Sequence, residues 1–399
     1  MNQQSNSGKL KRTIGLPGMV FYGVGTMVGG GIYALLGKIL QGAGVFTPLA
    51  LLLAGGLALL SAFSFAELTR RYPVSAGEVK YVDAAFGVTR LSQLVGVMVI
   101  FTGLVSAATL CAATGGFLLD LTGFSPVAFA VLTAVGLTVI AAWGVSQSVA
   151  VVVVITLLEA GTLLLIILLS ADSLAHAPAL AREIAADIEQ LDGAALVGAS
   201  FFAFYAFVGF EDMVNMAEET RNVKRNLPLA ILIAVAITIG LYLGVALVAM
   251  DLEDGSALAK AHTPLALLLP HSAVGGLVIG LISVLAGVNG ALVQVVMASR
   301  VVYGMANRGL APYWFARVNT HTHTPVRATL IVGAVVLVLA TAFPLTTLAV
   351  TTSAIILGVF AIVNLSLARL RRTEEASIAW LPLNAAVSCV AMLLASFAL

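Results

Sequence analysis

Residues 25–37 read GTMVGGGIYALLG. Apolar side chains flank this stretch, yet Gly29, Gly30 and Gly31 stand in a row at its centre. A glycine inside a helix costs about 1 kcal/mol relative to alanine. A membrane-type segment that places three together carries a break in its own middle. Two explanations compete. The glycines let neighbouring helices approach closely, or they bare backbone N–H and C=O groups to a ligand where the helix is unwound.

Composition sets the solvent. The chain has 399 residues, of which 60% are hydrophobic and 10% charged, and a mean hydropathy of +1.06. Soluble domains carry about 25% charged residues, so the lipid bilayer is the partner this chain suits. A net charge of +1 gives no support for a nucleic-acid partner. Cys111 and Cys389 lie in apolar runs and read as small hydrophobes. The first apolar run is long and glycine-broken, so no cleavable leader is expected. No Walker motif is present, which removes nucleotide-driven transport. Serine and histidine form no catalytic arrangement, so an enzyme is not expected. His321 and His323 alone make a weak metal signal, and no metal or cofactor is expected beyond a coupling ion.

Apolar runs of about 20 residues mark bilayer crossings. Eleven are read, near 14–40, 44–69, 91–119, 125–143, 148–170, 194–217, 228–250, 274–304, 327–343, 346–368 and 378–398. With the N-terminus inside, only Lys38, Arg182 and Lys260 of the 20 basic residues fall outside, which fixes that orientation. Residues 171–193 and 251–272 form acidic outer loops, read as solvated connections or as a lid, with an amphipathic helix expected at 181–190.

The sixth run contains FFAFYAFVGFEDM (201–213), with Gly209 inside it and Glu211 and Asp212 just after. Runs one and six hold equivalent places in two groups of five. Because five is odd, the second group inserts upside down. Interrupted spans at matching positions of inverted repeats point to a secondary transporter. Each break leaves free N–H groups at one half-helix start and free C=O groups at the other half-helix end. The first attracts a carboxylate and the second an ammonium or metal cation. Together they suit the two ends of an amino acid. The expected organisation is a cytoplasmic N-terminus (1–13), a first repeat (14–170), an extracytoplasmic loop (171–193), a second repeat (194–372) and an accessory eleventh span (373–399).

Four motifs carry a resemblance: GVGTMVGGGIYALLG (23–37), FSFAELTRRYPVSAGEVKYV (63–82), FYAFVGFEDMVNMAEETRNVKRNLPLAI (204–231) and ASRVVYGMANRGLAPYWFARVNTHTHTPVRA (298–328). With them, nearly the whole chain resembles the amino acid–polyamine–organocation transporter superfamily. The resemblance implies an all-α integral membrane protein of the leucine-transporter fold, with spans one and six discontinuous, that carries amino acids by alternating access. It implies that the backbone amides of Gly29, Gly30 and Gly31 bind the substrate carboxylate. Carbonyls of Met27, Val28, Tyr205, Ala206 and Val208 are then the partners of its amino group. Thr26, Ile32 and Gly209 complete the expected substrate site, and Phe207 stands where relatives often place an aromatic gate. Many relatives have twelve spans; eleven are read here.

Span five reads SVAVVVVITLLEAGTLLLIILLS (148–170), and Glu159 is its lone ionisable residue. A charge there is expensive. In many bacterial relatives the resemblance places a lysine at this position, substituting for a sodium ion between spans one, five and eight. Here the sign is reversed. Glu159 is a protonatable coupling site, a sodium ligand with Asn289, a counter-charge for a cationic substrate, or a structural carboxyl bonded to backbone.

At the inner end, Glu211 and Arg70 are candidate gate residues, alongside Glu67 and Arg71; ordinary cytoplasmic anchoring explains the same charges. Ser106, Ala107 and Ala108 of span three are candidates to shape the pocket. The function expected is an amino acid permease of the cell inner or plasma membrane, a symporter or antiporter coupled to protons or sodium. An amine carrier, a membrane sensor and a channel are the alternatives. Oligomeric state is not read.

Overall fold

The computed structural model describes residues 12–74, 76–143, 149–251, 255–268, 273–319, 322, 324–373 and 380–397. His321, His323 and the first eleven residues lie outside them. Span one is two helices, α1 (Leu16–Val28) and α2 (Gly31–Ala43). α1 has Pro17 in its first turn, where no backbone N–H is needed. α3 (Thr47–Arg71) ends on Arg70 and Arg71, cations suited to a helix C-terminus. A short α4 (Gly77–Phe86) leads to α5 (Thr89–Thr122), α6 (Pro126–Trp143) and α7 (Val149–Leu169).

The outer connection holds α8 (Ala171–Ala175) and α9 (Ala177–Ala186), so its longer helix begins before the expected 181. Span six begins as α10 (Gly193–Tyr205) and resumes after a turn as a 3-10 helix, Phe210–Met216. α11 (Val223–Met250), α12 (Gly255–Lys260), α13 (Ala273–Asn307), α14 (Val326–Ala342), α15 (Leu345–Thr373) and α16 (Trp380–Phe397) follow. Among the described residues, eight helical stretches are long and apolar enough to cross a membrane, and three shorter apolar helices accompany them.

The packing order carries the symmetry. α5 packs most extensively on α13, α3 on α11, α14 on α6, and α10 on α2. These are spans three with eight, two with seven, four with nine, and six with one. Four of the five members of one group thus lie against their counterparts, as a two-fold axis in the membrane plane would place them. Leu132, Val139, Leu157 and Leu168 on α6 and α7 are each more than half exposed, an apolar surface suited to lipid. Behind broken span six, Phe65, Phe204, Phe210 and Phe360 interlock with ring centroids 5.0–5.9 Å apart, tying α3 and α15 to it.

Two contacts bind the end of the molecule that holds the N-terminal segment and the α3 C-terminus. Glu67 of α3 accepts from Arg71 and from Arg371 of α15. Thr13 and Ile14 donate their N–H groups to the Glu219 carbonyl at 2.9 and 3.1 Å, and Arg221 N–H returns to Ile14 O at 2.8 Å. Asp251 at the end of α11 accepts from the Ser173 hydroxyl at 2.8 Å and pairs with His176 Nδ1 at 3.0 Å. These two partners hold its carboxyl below the usual range.

Ala76, which caps α4, has φ 52° and ψ 50°, and its N–H donates to Asn215 Oδ1 at 3.0 Å. A side chain is strained in that conformation. Ala76→Gly is expected to raise stability by about 0.5–1 kcal/mol, read as a higher thermal midpoint. A lower midpoint would show that the methyl packs for more than the strain costs.

Candidate functional site

Gly30 makes the break in span one. Its φ of 96° and ψ of −23° are open to glycine and poor for other residues. Gly29 N–H donates to Gly25 O at 3.0 Å, and Gly30 N–H to Val28 O at 2.6 Å. The N–H groups of Gly31, Ile32 and Tyr33 form the first turn of α2 and have no backbone partner among the described residues. The expected donors Gly29 and Gly30 are thus engaged within the protein and form the hinge, and the N–H groups left open begin at Gly31. The tight-packing role is present too: a methyl on Gly290 would lie 2.5 Å from Gly29 O, and one on Gly25 2.0 Å from Thr156 Oγ1.

A narrow cavity opens beside this helix start. Thr26, Met27, Gly29 and Gly31 line it from span one, Ser106 and Leu110 from α5, Tyr205 and Val208 from span six, and Gly290, Val293 and Gln294 from α13. Val28, Gly30, Ile32, Ala206, Phe207 and Gly209 are not in its wall. Gly209 has φ 129°, and a methyl there would meet Thr26 O at 2.6 Å. The two breaks therefore touch through backbone, and Thr26 Oγ1 joins them by donating to Gly209 O at 3.0 Å.

The carbonyls expected to hold an ammonium are engaged inside the protein. Tyr242 Oη shares its proton between Met27 O at 2.9 Å and Ala206 O at 2.8 Å. Val28 O accepts from Gly30, and Tyr205 O from Val208. Binding an ammonium on Met27 or Ala206 requires Tyr242 to yield. Phe207 is buried against Tyr242, with ring centroids 5.0 Å apart. In this conformation it packs between α3 and α11 and does not cover the cavity.

Glu159 of α7 is fully buried. Its carboxyl has no ion pair among the described residues, and the Asn289 side chain of α13 faces it as a hydrogen-bond partner. The Glu159 backbone carbonyl accepts from Tyr33 Oη at 2.7 Å, which joins span five to the start of α2. Thr156, one turn earlier, is buried with an unpartnered hydroxyl. Glu159 does not line the cavity.

A second acidic group lies inward of the cavity. Glu78 of α4, Glu211 and Asp212 are all buried. Glu211 accepts from Gly209 N–H at 2.8 Å, so it caps its own broken helix. Arg70 is exposed and has no ion pair among the described residues. The two candidate gate residues, Arg70 and Glu211, make no ion pair with each other among the described residues; the charge that pairs in α3 is Arg71, with Glu67.

Burial, reinforced by the Glu211 charge, pushes the Glu78 carboxyl up to about 8. The folded chain then holds that proton more tightly than the unfolded one. Its contribution to stability is complete below the ordinary value of 4.5 and is lost as pH rises through about 8. Melting midpoints measured across that window should fall with pH, and Glu78→Gln should flatten the fall. An equally steep profile in the variant would assign the dependence to other groups.

Tyr33, Tyr242, Gln294 and Glu78 were not legible as site residues. Tyr242 and Gln294 carry the signal that singled out Glu159, a polar group within an apolar span, in a weaker, uncharged form.

Residues 14–399 match the family described as amino acid permease. An uncharacterised transporter of Mycobacterium tuberculosis is 31% identical over 394 residues, 96% of this chain and 86% of the relative. The chloroplastic cationic amino acid transporter 9 of Arabidopsis thaliana is 29% identical, over 79% of this chain and 59% of its own. The methylthioribose transporter of Bacillus subtilis is 25% identical, over 93% and 84%. Among solved structures, MhsT in complex with L-phenylalanine aligns with 98% of this chain and 100% of its own at a TM-score of 0.63 and 15% identity. That likeness establishes the leucine-transporter-type fold, with its broken first and sixth spans. With the family match running from the first span to the last residue, this multi-pass membrane chain belongs to the amino acid permease family of transporters.

Proposed function

We propose that this chain is a secondary active amino acid carrier of the cell membrane, oriented with its N-terminus inside and driven by protons through Glu159. The substrate carboxylate rests on the N–H groups at the start of α2. The two five-span groups rock about the broken spans to give alternating access.

The observation that carries the coupling is the state of Glu159: fully buried, faced by the neutral amide of Asn289, and without an ion pair among the described residues. A buried carboxylate without a counter-charge costs several kcal/mol, so this packing favours the neutral acid. Tyr33 binds the backbone of Glu159 beside the substrate donors, so movement of α2 alters the surroundings of the carboxyl. Glu159 is absent from the cavity wall, which disfavours a direct contact with a cationic substrate. The names of the relatives span cationic amino acids and methylthioribose, and leave the side chain of the substrate open.

The test is uptake of labelled amino acids into liposomes carrying the purified protein. A pH gradient, alkaline inside, should drive accumulation in sodium-free buffer, and a protonophore should abolish it. Accumulation that needs sodium and ignores the pH gradient would replace the proton with sodium, with Asn289 and Thr156 as further oxygen donors.

A further inference from the structure

Gln294 of α13 lines the cavity and is 4% exposed. Its Nε2 donates to Asp212 Oδ2 at 2.8 Å. Its Oε1 is buried without a partner. An ionised Asp212 only accepts hydrogen bonds, which matches the orientation observed: Nε2 faces Asp212 and Oε1 faces away. Asp212 is itself held on the 3-10 helix after the span-six break and is 2% exposed.

Several other acceptors in or beside the cavity wall are engaged. Met27 O and Ala206 O take the Tyr242 hydroxyl, Val28 O and Tyr205 O take backbone N–H groups, and the Ser106 hydroxyl lies 3.4 Å from that of Tyr205. Gln294 Oε1 is an oriented acceptor in the wall with no donor. It also lies one helical turn, about 6 Å along the axis, from Gly290, which packs on Gly29 beside the α2 donors. That offset puts the root of the Gln294 side chain one turn away from the glycine that packs at the span-one break.

We propose that Gln294 is a specificity-determining residue, whose Oε1 accepts a hydrogen bond from a hydroxyl, amide or ammonium on the substrate's side chain. The carrier then favours such amino acids over aliphatic ones of the same shape. This rests on the reading of the cavity as an amino acid site. A wall built to bond a donor rejects the analogue that lacks it, because its own polar group stays unpaired.

The test is a ratio: uptake of threonine against valine, and of asparagine against leucine, by the full chain in liposomes. The wild type should favour the polar member by about tenfold or more. Gln294→Met keeps the length and removes the acceptor; it should bring both ratios near one by loss on the polar member alone. Asp212→Asn frees the amide to turn over and should lower the ratios with Gln294 in place. Because each ratio is independent of how much protein folds, a purely structural defect leaves it unchanged. A wild-type ratio near one, or a ratio that survives Gln294→Met, overturns the proposal. Failure of the wild type to carry any amino acid overturns the parent reading instead, and this one with it.

Discussion

Replacing Glu159 with glutamine is expected to uncouple the carrier. Each unit of pH gradient supplies about 1.4 kcal/mol per proton, a tenfold accumulation, and Glu159→Gln should lose that factor. Exchange of labelled for unlabelled substrate at equal pH should persist. The separation follows from the geometry. The Tyr33 hydroxyl bonds the backbone carbonyl of residue 159, so the link from span five to α2 survives the change. Glutamine fills the same volume but cannot release a proton. Measured in liposomes with and without a pH gradient, equal accumulation by variant and wild type would remove Glu159 from the coupling step. Loss of exchange together with accumulation would instead make it structural.

The second large effect is expected at the break itself. Gly30→Ala forces a side chain into φ 96° and sets its methyl 2.8 Å from Leu110 Cδ2 and 3.3 Å from Gly287 Cα. Backbone strain of this kind costs about 2–3 kcal/mol, and about a hundredfold loss of the binding-competent geometry follows. Gly209→Ala, with φ 129° and a methyl 2.6 Å from Thr26 O, should behave alike. Gly56→Ala on α3 is the matched control, because a methyl there meets nothing within 4 Å. Uptake at equal amounts of folded protein should collapse for Gly30→Ala and remain for Gly56→Ala. Comparable uptake by both would mean that the break is not needed for transport.

The breaks were legible because glycine in an apolar run is costly and therefore informative. The pairing of spans one and six followed from counting, and the spans were located by apolar length alone. What the sequence could not resolve was which atoms at the break remain free. Gly29, Gly30 and Gly31 are chemically identical in one dimension; only the fold turns the first two N–H groups onto Gly25 and Val28. Phe207 illustrates the same limit. Its position beside the break suggested a gate, while its rotation about span six sends it against Tyr242. Arg70 and Arg71 are neighbours, but one turn of helical phase gives Glu67 to Arg71. Tyr242 and Gln294 arrive from other spans and meet the breaks across 215 and 82 residues of sequence, separations that no local pattern encodes.

The central claim is that the start of α2 reads a carboxylate, and matched ligands test it most directly. Thermal midpoints of the purified protein would be compared with lysine and cadaverine, and with alanine and ethylamine. Each pair differs by one carboxylate, and a ligand that binds the native state raises its apparent stability by mass action. Stabilisation by the amino acid of at least one pair, with none by its amine, is the predicted result. Equal or greater stabilisation by the amines would contradict it, and would move recognition from the N–H groups of Gly31, Ile32 and Tyr33 to the acidic groups around them.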